Sequence, residues 1–232
     1  MSLIKYLAKM GYGSRREVTE LVAVGRVSGT GGVRLGADDG WTHGDLRVDG
    51  QPLDPAPGAL LMLHKPVGYV CSTRDVPPLI YELLPARFIR RTPIVAAVGR
   101  LDRDTSGVLL LTDDGALNHR LTSPRSHLSK TYRVTVAHDF RGDERDTFGA
   151  GTLLLSGESS PLMPATLVLL DRRIADLTIT EGRYHQVRRM FAALGNHVVA
   201  LHRTAIGGLM LGDLAASSWR LVGDSERALL EP

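Results

Sequence analysis

The chain has 232 residues, 43% of them hydrophobic, which is room for one sizeable core or for a large and a small one. Its formal charge is only +3, aromatics make up 5%, and Cys71 is the only cysteine. That excludes an internal disulfide, a cysteine-based zinc site and an architecture of aromatic platforms, and it points to a reducing, cytoplasmic setting. No apolar run approaches the ~18 residues of a membrane helix. The amino-terminal pattern is helical, unlike a secretory signal.

In chain order, residues 3–24 read as two short helices. Ile4, Leu7 and Ala8 share a face of the first, and Gly11 to Gly13 interrupts the pattern. Ser14 and Glu17 form a capping box for the second helix, whose apolar side is Val18, Leu21 and Val22 and whose exposed start carries Arg15 and Arg16. Short β pieces follow at 25–27 and 46–50. Residues 1–58 hold seven Lys+Arg and seven Asp+Glu, so charge alone supports no tight polyanion binding there. Asp54-Pro-Ala-Pro-Gly58 is a linker by composition and divides 1–58 from 59–232. Beyond it, 60–63 reads as a strand and 81–84 as a short helix stopped by Pro85. Asp104 to Gly107 reads as a turn and Val108 to Leu111 as a buried strand. Residues 115–121 predict a helix and 130–136 an alternating strand, with further strands at 152–155, 165–170 and 175–180. From 183 to 194 the spacing of Val187, Met190, Phe191 and Leu194 is helical, and Gly195-Asn196 is a left-handed stop. A strand at 198–201 follows. The fold class is α+β: a large, mostly antiparallel mixed sheet with flanking helices, after a small α+β unit.

Two basic clusters stand out. Arg183 to Arg203 holds four arginines, three histidines and no carboxylate, and Arg87, Arg90, Arg91, Arg100 and Arg103 form the other. Together they could line a groove for a polyanion, or they could be solvated faces. Asp102 lies between a turn and an apolar strand, where a fixed backbone can aim a carboxylate at a cleft; simple capping of its own turn is the alternative. His185 has no second ligand four residues on, so the pattern argues against zinc.

The run Val98-Gly-Arg-Leu-Asp-Arg-Asp-Thr-Ser-Gly-Val-Leu-Leu-Leu-Thr112 resembles the signature of RNA pseudouridine synthases. So do Lys130-Thr-Tyr-Arg-Val134 and Gly182-Arg-Tyr-His-Gln-Val-Arg-Arg-Met190, and the three come in the family's order. Met62-Leu-His-Lys-Pro-Val-Gly-Tyr-Val-Cys-Ser-Thr73 and Leu121-Thr-Ser-Pro-Arg-Ser-His127 are most similar to the branch acting on small-subunit ribosomal RNA. The resemblance implies Asp102 as the catalytic carboxylate. It implies Tyr132 as the residue that stacks on uracil, and Arg188 as the cation that pairs with Asp102. Lys65, Arg100, Arg103, Lys130, His185, Gln186 and Arg189 would contact RNA or support the pocket. The reaction needs no cofactor and no metal. The implied partner is ribosomal RNA in a small-subunit assembly intermediate, bound by a monomer. Residues 1–58 resemble an S4 RNA-binding domain, in which Arg15 and Arg16 would face RNA. A large-subunit rRNA synthase of the same family and a non-catalytic rRNA-binding assembly protein are the alternatives.

Overall fold

The structure is a computed structural model and describes residues 1–230. The N-terminal unit is built from α1 (Leu3–Lys9), α2 (Arg15–Ala23) and a three-stranded sheet of β1 (Val27–Ser28), β2 (Arg47–Val48) and β3 (Gln51–Pro52). The expected capping box is present: Ser14 N–H donates to Glu17 Oε2 at 2.6 Å, and Glu17 N–H donates to Ser14 Oγ at 3.3 Å. Leu3, Tyr6, Leu7, Met10, Val18, Val27, Leu46 and Val48 form a core separate from that of the rest of the chain.

Residues 54–58 are not a free tether. Asp54 accepts two hydrogen bonds from Arg87, at 2.6 and 3.0 Å. Arg91, buried, pairs with Asp113 at 3.0 Å and also donates to the Pro55 carbonyl. Gly58 N–H donates to Asp113 at 2.8 Å, and Thr92 N–H donates to the Lys9 carbonyl at 2.9 Å. Arg87 and Arg91, expected in a polyanion groove, are therefore fasteners between the two units.

The main sheet contains β4 (Leu60–Lys65), β5 (Ala96–Val98), β6 (Thr105–Thr112), β7 (Lys130–Val136), β8 (Thr166–Leu169), β9 (Ile174–Ile179), β10 (Val198–Ile206), β11 (Leu209–Met210) and β12 (Trp219–Leu221). The order is β12-β4-β6-β10-β7-β9-β8, with β5 on β6 and β11 on β10. Among the described residues β6–β10 is the one parallel strand pair of this sheet, and its other pairs are antiparallel. The helices are α3 (Arg87–Arg90), α4 (Gly115–Thr122), α5 (Glu144–Gly149), α6 (Gln186–Ala193) and α7 (Asp224–Arg227). Strand alternation sends Leu61, Leu63, Leu109, Leu111 and Val134 into one core with Phe148 of α5 and Met190 and Phe191 of α6. It sends Leu60, Met62, Val108 and Leu110 into a second core with Leu121 of α4 and Leu230.

Three local expectations fail, each for a physical reason. Thr105 to Gly107 is the start of β6 and not a turn, because it pairs with Leu201 to Arg203 of β10. Residues 152–155 form no strand. Leu155 is buried by core packing and the Leu162 N–H bonds back to the Leu153 carbonyl, so the apolar run serves a loop. Finally, α6 begins at Gln186 and not at Arg183, because His185 takes a left-handed conformation with φ 48°.

Candidate active site

A cleft of about 540 Å³ opens where the start of β6, the start of β7 and the end of β9 meet β10. Asp102, Tyr132, His185 and Arg188 all line it, as do Arg100, Lys130, Gln186 and Arg203. Three segments far apart in sequence are thus brought to one place by the parallel β6–β10 contact and the antiparallel β7–β10 contact.

The turn that carries Asp102 is fixed from beneath. Lys65, fully buried at the end of β4, donates to the carbonyls of Pro66 at 3.1 Å, Asp102 at 3.0 Å and Thr105 at 2.7 Å. Burial pushes the Lys65 ammonium below the ordinary lysine range, against the pull of Cys71, Asp102 and Asp104. Lys65 thus directs its ammonium to three backbone carbonyls beneath the cleft. The Asp102 side chain is 37% exposed and directed into the cleft, so it is neither buried without solvation nor lost to bulk solvent.

The cation beside Asp102 differs from expectation. His185 Nε2 lies 3.5 Å from Asp102 Oδ1, whereas Arg188 pairs with Asp104 at 2.7 Å and donates to the Val198 carbonyl at 3.1 Å. A regular helix through residues 183–194 would put His185 in register with Arg188 and Arg189; the left-handed His185 instead turns its ring out of the helix toward Asp102. Tyr184 stacks on that ring at 4.0 Å and is 77% exposed at the rim.

The expected basic groove is largely neutralised from within. Arg183 pairs with Glu158 and Glu181 and donates to the carbonyls of Ser160 and Pro161. Arg189 pairs with Glu158 at 2.7 Å and donates to the Ser156 carbonyl. Gln186 links the Arg183 N–H to Glu181. Gln186 and Arg189 therefore hold the 156–161 loop and the 181–186 turn in place. The sequence window 183–203 contains no carboxylate, but chain folding supplies Glu158, Glu181 and Asp104 from outside it. Arg103 donates to the Gly68 carbonyl at 3.0 Å. Arg100 is exposed at the mouth. Arg15 and Arg16 are exposed on the N-terminal unit, outside the cleft lining.

On the cleft floor Tyr132 is 8% exposed. Arg203 stands opposite it in register and donates to its hydroxyl at 3.4 Å. Arg203 received no individual role in the sequence reading because it closed a basic run; the alternation Leu201, Arg203, Ala205 along a strand was the signal that it points inward. Among the described residues no group of three His, Cys, Asp or Glu side chains could hold a metal ion, and no helix is long and apolar enough to cross a membrane.

The site thus joins a part-exposed carboxylate on a clamped turn and a buried tyrosine in one cleft of an α+β sheet. Residues 59–161 match the model of the RNA pseudouridylate synthase family, and the chain belongs to that family. It is 42% identical to the ribosomal small subunit pseudouridine synthase A of Pasteurella multocida, with 98% of each chain covered. It is 46% identical to the protein of that name from Escherichia coli K12, with 79% of each covered. A crystal structure of a pseudouridylate synthase superposes with a TM-score of 0.70 at 38% identity, covering 99% of both chains.

Proposed function

We propose that the protein isomerises a specific uridine of 16S ribosomal RNA to pseudouridine, with Asp102 as the catalytic carboxylate. The observation that carries this is the Asp102 carboxylate, held in the cleft on a turn that Lys65 clamps through the carbonyls of residues 66, 102 and 105. The reaction must break the bond between uracil N1 and the sugar C1′ and rejoin the base through C5. A carboxylate serves either by attacking the sugar or the base, or by taking the 2′ proton. Asp102 has that role; Tyr132 stacks on the extruded uracil, since a base inside a helix cannot be reached. His185 lies 3.5 Å from Asp102, and Arg188, paired with Asp104, sets a permanent guanidinium on the lining of the same cleft. The substrate class follows from the small-subunit relatives, whose similarity extends over most of the chain. The same similarity favours this substrate over large-subunit RNA, and the complete Asp102, Tyr132 and Arg188 set favours an enzyme over a non-catalytic binding protein. The partner is rRNA in a small-subunit assembly intermediate, met in the cytoplasm by a monomer. Residues 1–58 act as an S4-like RNA-binding domain with Arg15 and Arg16 outward, and the chemistry uses no cofactor.

Tritium release from small-subunit RNA labelled at uridine C5 tests this. The parent protein should release one equivalent per target site, and Asp102→Asn none while RNA affinity stays within a fewfold. Turnover by Asp102→Asn within tenfold of the parent would remove Asp102 from the mechanism.

A further inference from the structure

Apart from Arg100, exposed at the mouth, two cations lining the cleft have no carboxylate partner among the described residues. Lys130 makes one hydrogen bond, to the Leu128 carbonyl at 2.8 Å. Arg203 is 3% exposed; its Nε donates to the Val108 carbonyl at 2.7 Å, its Nη1 to Tyr132, and its buried Nη2 to nothing. Among the described residues neither forms an ion pair, whereas Arg183, Arg188 and Arg189 around the same cleft all do. Lys130 and Tyr132 point to the same side of β7, two residues apart, and Arg203 faces Tyr132 from β10. Burial lowers the Lys130 pKa, and repulsion from Arg203 lowers it further. Uncompensated positive charge of this kind is unfavourable in the resting protein and becomes favourable when an anion arrives.

We propose that Lys130 and Arg203 are catalytic residues that hold the uracil as an anion after it separates from the sugar. This rests on the isomerase activity proposed above. When the N1–C1′ bond breaks, its electron pair stays on the base, and the charge spreads from N1 to O2 and O4. The sugar carbon is meanwhile stabilised through Asp102, by a bond to C1′ or by loss of the 2′ proton. The base turns on the Tyr132 ring and C5 bonds to C1′ as the Asp102–C1′ bond breaks or, on the other route, as Asp102 returns the proton to C2′. The C5 proton then leaves and N1 takes one up, so atoms and electrons balance with no other reactant. Neutral uracil gains little from two cations and the detached anion gains much, so the pair acts on the barrier more than on binding.

The test is the single-turnover reaction of a target RNA carrying uridine or 5-fluorouridine at the modified position, read by mass spectrometry of the nucleosides as pseudouridine from the first and, because fluorinated C5 has no proton to lose, as the C-linked product with water added at C6 from the second. 5-Fluorouracil is the more acidic base and leaves with less help. Lys130→Met should slow conversion of uridine 30-fold or more but of 5-fluorouridine under fivefold, with RNA affinity within threefold of the parent; Lys130→Arg should recover most of the rate. Arg203→Lys should show the same split more weakly. Arg203 is buried and Arg203→Met endangers folding, so the result on half-buried Lys130 decides. Equal slowing on both bases, or no slowing by Lys130→Met, overturns the proposal while leaving the isomerase reading intact. Failure of the parent to convert either RNA overturns the isomerase reading itself, and full activity of Asp102→Asn removes Asp102 from it.

Discussion

Lys65 shows how much a single side chain can decide. Its ammonium ties together three carbonyls: one just past the strand end, that of Asp102 itself and that of Thr105. Lys65→Met keeps the length and removes the donors, leaving the buried carbonyls without partners. We expect a loss of about 2–4 kcal/mol in urea unfolding and a fall in kcat well beyond any change in RNA affinity, because the Asp102 turn loosens. Since burial holds Lys65 below its ordinary value of 10.5, the unfolded chain carries a proton that the folded one has lost in the window beneath that value. Stability from this group therefore rises with pH there and is lost as pH falls through the folded pKa. The advantage of the parent over Lys65→Met should widen on going alkaline; a constant gap in midpoint between neutrality and that window would contradict this. Asp102 and Tyr132 were legible from motifs alone. The Asp102–His185 and Asp104–Arg188 pairing was not, because a left-handed residue breaks the helical count on which spacing arguments depend.

Among the elements, β6 repays comparison with its sequence. Its apolar half was evident, but its first three residues look like a turn and become strand only because β10 lies alongside. Gly107 marks the contact. It has φ 110°, and a Cβ there would collide with the backbone carbonyl of Arg203 and come within 2.6 Å of its nitrogen. Gly107→Ala should therefore force apart this parallel pair, costing about 3 kcal/mol or more, together with nearly all activity; an unfolding midpoint close to that of the parent would show that the strands can yield. Regular alternation made β7, β8 and β9 readable, whereas α5 and β12 escaped notice. Both are short, and β12 has only Trp219 and Leu221 to signal a strand that exists by pairing with β4.

At the scale of the molecule, the residues at the division expected near residue 58 are bound to the larger unit: Asp54 to Arg87, Pro55 to Arg91 and Gly58 to Asp113. A fragment 59–232 lacks the Gly58 N–H that serves Asp113 and the Pro55 carbonyl that serves Arg91. A fragment 54–232 keeps both. We expect the longer fragment to unfold several degrees higher, each lost partner being worth ~1–3 kcal/mol; coincident melting curves would show those bonds to be incidental. Both fragments should convert RNA with less site selectivity than the full chain, as measured on cognate RNA and on RNA altered beside the target. Equal selectivity would mean that residues 1–58 do not choose the site.

The pairing of β12 with β4 also sets a clock. Leu63 meets Trp219, so the strand that opens the large unit waits for a partner 156 residues later (219 minus 63). At ~5–20 residues per second that wait is roughly 8–30 s. Throughout it, the apolar Leu60–Lys65 strand has one side unpaired and can stick to any other exposed strand. A chain still attached to the ribosome that is making it is therefore both unfinished and adhesive, and a chaperone that shields nascent strands has a defined interval in which to act.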